Sequence, residues 1–347
     1  MSDHHMKYIL YPLIVVTIML ITISRCDCNS PTEPGEIQPE IRYEIEVYDS
    51  LRALNGSTLL ADLHNADWPR VVELNMAGEV IWSYTIPTGL REYTSPGIDV
   101  EKLENGNVMI LFPGWGILEL TTGLNVVWHH EDAQLSHDAD RLPDRSTLYV
   151  FGNQDSLFDY QVKEVAYNGL QTWGWRAAGQ YSQQFEGLSN RGWSHTNSVT
   201  RLTNGNTLVC LRNFHLIAEV TTAGQVAHEW GEGILHLPYD PELLANGNIL
   251  VANQADTTSG RVARAVEFDP QTNTVVWEYL IPDESDWPVR DADRLSNGNT
   301  LITCATSILE VASGGDIVWR MRLKDVTLDP GQAEETGLYK AERIAQN

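Results

Sequence analysis

The strongest constraint on the fold of this chain is a unit that it repeats six times. Each copy starts at a tight-turn signal, Asn-Gly, found as Asn55-Gly56, Asn105-Gly106, Asn204-Gly205, Asn246-Gly247 and Asn297-Gly298. Asp144-Arg145 fills the remaining place, because Ser146-Thr147-Leu148 continues as Asn206-Thr207-Leu208 and Asn299-Thr300-Leu301 do. Asn-Gly favours positive φ at both turn positions and predicts a tight hairpin between twisted strands. An apolar strand follows, such as Thr207-Leu208-Val209-Cys210, then a short strand with a glutamate beside an apolar residue: Glu73, Glu119, Glu164, Glu219, Glu267 and Glu310. A turn comes next, at Gly78, Gly123, Gly169, Gly224, Asp269-Pro270 or Gly314-Gly315. The unit closes on a strand carrying Trp82, Trp128, Trp173 or Trp175, Trp230, Trp277 or Trp319.

Four short strands per unit at a period of roughly 40–60 residues predict an all-β fold, a six-bladed β-propeller with four antiparallel strands per blade. A β-sandwich with many hairpins would not need a tryptophan at the same place in every unit. No stretch has a helical period. The tail from Gly337 to Ile344 is a candidate for the segment that returns to close the ring.

The chain has 347 residues, and residues 41–347 are assigned to the propeller. Residues 1–25 contain an apolar run from Tyr8 to Ile23 that reads as a signal peptide or membrane anchor, and residues 26–40 as a Pro/Glu-rich linker. Cys26 could instead be a lipidated cysteine. All three readings export the folded part and confine membrane contact to the N-terminal segment. Lys and Arg number 23 against 47 Asp and Glu, a net charge of −24, which excludes nucleic acid as a partner on electrostatic grounds. Cys210 and Cys304 lie in apolar strands of non-adjacent units and are expected to be buried free thiols.

In a propeller the innermost strand of each blade lines the central channel. The strand before each turn is taken as that strand. Six residues before the turn stand Asp49, Asp99, Asp138, Ser198, Asp240 and Asp291. A carboxylate that recurs in this way is expected to hold backbone amides of a neighbouring blade. One residue earlier stand Tyr48, Ile98, His137, Asn197, Tyr239 and Arg290. Here the copies differ, and a position that breaks the repeat's own rule is where function is expected. His195 points to the same side as Asn197, and Arg212 lies on the next strand of that blade. His137, His195, Arg212, Tyr239 and Arg290 therefore form a candidate constellation. Imidazole, guanidinium and phenol groups suit an oxyanion. A water-filled polar channel is the alternative.

These residues resemble the PAPS-independent arylsulfate sulfotransferases and their wider propeller superfamily. The stretches that carry the resemblance are Ser136 to Leu142, Trp193 to Val199 followed by Leu211-Arg212-Asn213, Tyr239 to Asn248, and Arg290 to Leu301. The resemblance implies a periplasmic six-bladed enzyme, without metal or cofactor, that moves a sulfuryl group from an aryl sulfate to a phenolic acceptor through a transiently sulfated histidine. By it, His137 and Arg212 would bind the sulfuryl group, and His195 is the histidine of a His-x-Asn-Ser stretch. Asn197, Asp240 and Arg290 are assigned to substrate binding. Tyr239 stands where the family has its nucleophilic histidine, and His236 lies three residues upstream. That substitution supports a second function class, an exported binding propeller that has lost its nucleophile. A third, a quinoprotein-like propeller, rests on Gly78-x-x-x-Trp82 and Gly315-x-x-x-Trp319. Six units and no adjacent cysteine pair oppose it, and the tryptophans are expected to pack blade on blade.

Overall fold

The period-two alternation of each unit is realised as six antiparallel sheets arranged as the blades of a β-propeller. The computed structural model describes residues 43–181, 192–254, 260, 262–283, 286–329 and 336–346. From the channel outward, blade two is Asp99–Lys102, Val108–Phe112, Gly116–Leu120 and Val126–Glu131. Blade three is Ser136–Arg141, Thr147–Val150, Val162–Val165 and Gln171–Trp175. Blade four is Thr196–Arg201, Thr207–Leu211, Leu216–Val220 and Val226–Trp230. Blade five is Pro238–Leu243, Ile249–Asn253, Arg264–Asp269 and Thr274–Leu280. Blade six is Val289–Arg294, Thr300–Cys304, Ser307–Val311 and Ile317–Leu323.

Blade one closes the ring with both ends of the chain. Its inner strand is the C-terminal Leu338–Ala345, followed outward by Gly56–Asp62, Arg70–Asn75 and Val80–Thr85. The strand before Asn55 is not an inner strand. Tyr43–Tyr48 pairs with Ile317–Leu323 as a fifth, outermost strand of blade six. Tyr48 and Asp49 therefore leave the channel, and Asp49 instead binds Arg52 at 2.7 Å. Arg343 faces Thr58 as Lys102 faces Val108, so Tyr339 and Lys340 take the two vacated column positions. Gly56 is a strand residue, not a hairpin turn. A Cβ there would lie 2.1 Å from the Ile344 carbonyl, so only glycine lets the closing strand pair.

The Asn-Gly turns also differ from expectation. Only the glycine is left-handed, with φ of 81° at Gly106 and 86° at Gly298. This is the three-residue hairpin with one αL position, and it is closed by Gly106 N–H donating to Leu103 O at 2.8 Å. The asparagine acts through its side chain: Asn105 Oδ1 accepts the Asn107 amide at 2.9 Å. In blade three Arg145 takes the left-handed place at φ 71°.

The recurring polar residues stitch blade to blade. Asn105 and Asn107 donate to Glu119, which pairs with Arg141 of the next blade at 3.1 Å. Asn246 and Asn248 hold Glu267 for Arg294 in the same way. The outer-strand tryptophans donate across blades: Trp82 to Thr122 O, Trp128 to Tyr167 O, Trp277 to Ser313 O and Trp319 to Met76 O. Trp173 and Trp175 both do so, to Thr222 O and Gly224 O. In blade four His228, not Trp230, stands opposite the glutamate, so Trp230 matches Trp175. Apolar faces pack between blades, as Leu59 and Val71 do with Val100, Ile110 and Leu118. Cys210 and Cys304 are buried and free. The assignments to residues 1–25 and 26–40, with Cys26, lie outside the described residues. Among the described residues no helix is long and apolar enough to cross a membrane.

Candidate functional site

The inner strands lose their regular register at one end of the channel. In blade three Ala139 pairs with Tyr149 and Ser136 with Val150, so His137 and Asp138 loop out. Asn197 is skipped in blade four, Asp240 and Pro241 in blade five, and Arg290 in blade six. In blade one Tyr339 and Lys340 are skipped. A β-bulge bends its strand and re-aims a side chain. Blade two keeps its register and Tyr239 stays paired with Ala252, so bulges lie at or beside the variable column in five of the six blades.

Three backbones here are held in a conformation that disfavours side chains: His137 at φ 62° and Asp240 at φ 46° in the bulges, and His195 at φ 46° just before the blade-four strand. Left-handed non-glycine residues cost about 1–2 kcal/mol each and persist where the surroundings fix them. For His195 the surroundings are Asp155. Its Oδ1 accepts the amides of Ser194 and His195, each at 3.1 Å, and its Oδ2 accepts the Ser194 hydroxyl at 2.7 Å. Gln161 Nε2 also donates to Oδ2, at 3.1 Å. Asp155 belongs to no repeated column, and the sequence alone offers no signal for it.

The bulges bring the predicted side chains into pairs. The rings of His137 and His195, on adjacent blades, meet edge to face with centroids 4.8 Å apart. The Arg212 guanidinium lies 6.0 Å from the Tyr239 ring and donates to Asn213 Oδ1 at 2.9 Å. Arg290 sits 4.8 Å over Tyr339, on the far side of the ring of blades. Asn197 Nδ2 donates to Pro238 O at 2.8 Å, while its Oδ1 is buried without a hydrogen-bond partner. Burial, then Tyr239, raises the Tyr339 phenol above its ordinary range. His137, His195, Asn197 and Arg290 are 2–3% exposed, so this group is enclosed rather than lining an open mouth. His236 does not enter it. It stacks on His215 at 4.8 Å, and His215 Nδ1 accepts the Leu237 amide at 2.9 Å.

The next layer of the channel is acidic. Asp99, Asp138, Asp240 and Asp291 form one tier with Ser198 and Lys340; Glu101, Asp140, Glu242, Asp293 and Glu342 form a second tier towards the Asn-Gly turns. The carboxylates do stitch blades: Asp99 Oδ2 accepts the Ala139 amide at 3.1 Å and Asp138 Oδ2 the Val199 amide at 2.7 Å. Lys340 Nζ donates to Asp138 Oδ1 at 2.6 Å, pairs with Asp240 and lies 3.7 Å from Asp99. Asp240 thus faces this ammonium. Burial, with repulsion from neighbouring carboxylates, pushes Asp140 up to about 7 and Glu101 to about 8. Asp138, Asp291 and Asp293 rise further, burial again leading. A cavity of 430 Å³ opens at this end, away from the histidines. Among the described residues no three His, Cys, Asp or Glu side chains are placed to hold a metal ion.

No protein-family model matches the chain, and no curated protein does. Solved structures do. A Bacteroides caccae protein of unknown function is 17% identical with a TM-score of 0.55, over 82% of this chain and 98% of that one. A gluconolactonase from Xanthomonas campestris is 9% identical at TM-score 0.52, over 86% and 94%. Virginiamycin B lyase from Staphylococcus aureus is 10% identical at TM-score 0.50, over 88% and 100%. Likeness at these identities is of fold, and the two neighbours with a stated activity are a lactonase and a lyase.

Proposed function

We propose that the bulged end of the channel binds an aryl sulfate and transfers its sulfuryl group to a phenolic acceptor. The observation that carries this reading is the contact of His137 with His195, 4.8 Å between ring centroids, on neighbouring blades. Two imidazoles so placed can serve one displacement at sulfur. The acceptor phenol oxygen attacks the sulfur and loses its proton to one neutral imidazole. The bond from sulfur to the first aryl oxygen breaks, and the second imidazole, protonated, gives its proton to that leaving oxygen. Arg212 supplies fixed donors for the sulfuryl oxygens. Direct transfer suits a chain in which Tyr239 stands at the position of the resembled family's nucleophilic histidine.

The test is release of p-nitrophenolate from p-nitrophenyl sulfate with phenol as acceptor, with phenyl sulfate identified by mass spectrometry. Intersecting initial-rate lines, and loss of turnover in His137→Ala and His195→Ala, are expected. Parallel lines would replace direct transfer with a covalent intermediate. A second reading, binding without turnover, is favoured by the enclosure of the histidines at 2–3% exposure. It is the outcome if p-nitrophenyl sulfate binds by calorimetry, no product forms, and Tyr239→His introduces turnover.

A further inference from the structure

We propose that the acidic cavity at the Asn-Gly end of the channel is a second site, which binds a ligand carrying a primary ammonium group beside Asp291 and Asp293, next to Lys340. This site lies away from the histidines and does not depend on the sulfuryl-transfer reading.

The cavity is strongly unbalanced in charge. Nine carboxylates line it, against one ammonium, that of Lys340. The inner strands do carry other cations, but alternation turns these away from the axis. Lys102 pairs with Glu73, Arg141 with Glu119, Arg294 with Glu267 and Arg343 with Glu310, all on a neighbouring blade. Arg201 borders the cavity, yet its guanidinium is engaged by Glu164 at 2.5 Å and by the Gly205 carbonyl at 3.0 Å.

A cluster of carboxylates is not in itself a site, because protons can neutralise it. Asp291 supplies the further observation. It is 3% exposed and lines the cavity; its carboxyl shares a hydrogen bond with that of Asp240, and its Oδ1 is buried with no hydrogen-bond partner. Its tier neighbours Asp99 and Asp138 each place an oxygen on a backbone amide of the next blade. An orphaned buried acceptor asks for a donor. Lys340 shows which donor the channel accepts, since its ammonium already sits among Asp99, Asp138 and Asp240 of three blades. Among the described residues no three carboxylates, histidines or cysteines are placed to hold a metal ion. Leu202 and Leu243 at the cavity edge offer contact for an alkyl stem, and 430 Å³ holds a chain of several methylenes.

The experiment is calorimetric titration of the full chain with 1,5-diaminopentane at low salt, with calcium chloride as a separate arm. One saturable site is expected, weakened about tenfold or more by Asp291→Asn and by Asp293→Asn, and unchanged by Asp67→Asn on the surface. Lys340→Met gives the opposite sign: the variant melts at lower temperature, binds the diamine more tightly, and regains part of its melting temperature when the diamine is added. Absence of a saturable site overturns the proposal. So does equal weakening by Asp67→Asn, which would mean surface screening, or calcium binding tighter than the diamine with the same dependence on Asp291. Far-ultraviolet circular dichroism identifies a variant that fails to fold; if Asp291→Asn does so, the Lys340→Met rescue decides alone.

Discussion

Lys340 Nζ lies 2.6 Å from Asp138 Oδ1, and it reaches there from the opposite end of the chain, 202 residues away. The ammonium belongs to the strand that closes blade one, and the carboxylate to blade three. Closure of the ring therefore also brings the acidic channel its lysine counter-ion. Removing one partner of a buried ion cluster leaves the others uncompensated. Lys340→Met is expected to destabilise the protein by about 3–5 kcal/mol, measured by urea unfolding at neutral pH. Asp49→Asn, on the exposed outer edge, is expected to leave the urea midpoint essentially where it is.

The same acids set a pH dependence. A carboxyl raised in the folded state binds its proton more tightly there than in the unfolded chain, so stability falls as pH rises between the two values. For Asp140 that window runs from the ordinary 3.8 to about 7, and for Glu101 from 4.5 to about 8. Lys340, whose value is raised, contributes nothing to the slope there, because it is charged throughout. Asp132 has the opposite sign: burial acts to raise it, Lys163, the Gln134 amide and the Tyr149 hydroxyl together outweigh burial, and its contribution is lost only below about pH 4. Thermal melts are expected to show a maximum in mildly acidic buffer and a fall towards about pH 8. Glu101→Gln is expected to flatten the fall; an unchanged slope would remove Glu101 as its source.

The wheel itself was legible because its parts recur. Asn-Gly, the glutamate and the tryptophan each appear in several units, and each proves to bond to a neighbouring blade or turn. What was not legible is where the ring closes. Counting back from Asn55 gave Asp49 and Tyr48, which resemble their columns but lie on an outer strand. A signal was present: Lys340-Ala341-Glu342-Arg343 repeats Asp138-Ala139-Asp140-Arg141 and Asp291-Ala292-Asp293-Arg294 with one charge reversed. Because the reversal turns an aspartate into its counter-ion, a search for similar residues passes over it. The variable column was legible as a departure from the repeat. Its physical cause in five of the six blades, a bulge at or beside that position, is a matter of pairing and leaves no mark on residue type. Trp230 misled for a related reason: His228 holds the tryptophan place, and Trp230 stands two residues on.

Asp155 is the residue whose loss is expected to affect the candidate site most indirectly. It holds His195 through the backbone: it accepts the amides of Ser194 and His195 and so fixes the left-handed turn at φ 46°. Asp155→Ala leaves those donors buried and unpaired, at a cost of about 2–4 kcal/mol. Asp155→Asn keeps the size but replaces one acceptor oxygen with a donor. It is expected to weaken p-nitrophenyl sulfate binding several-fold while far-ultraviolet circular dichroism stays unchanged. Unaltered affinity in a folded Asp155→Asn protein would show that His195 does not need this support, or that it does not contact the ligand; His195→Ala separates the two.

Trp319 carries the last blade-to-blade bond before the ring closes. Its indole is 0% exposed and donates to Met76 O of blade one at 3.0 Å, under the Arg343 guanidinium at 4.7 Å. Trp82 makes the same kind of bond to Thr122 O at 2.9 Å, but at the solvent-exposed edge of blade one. A carbonyl that loses its donor next to water finds another; one that is buried does not. Trp319→Phe is therefore expected to cost about 1–3 kcal/mol beyond the loss of ring volume, and Trp82→Phe well under that. Trp319→Ala, which also opens a cavity, is expected to cost about 3–5 kcal/mol. Urea unfolding of the three variants orders them. Equal effects of the two phenylalanine substitutions would show that closure at blade one is no more demanding than any other blade contact.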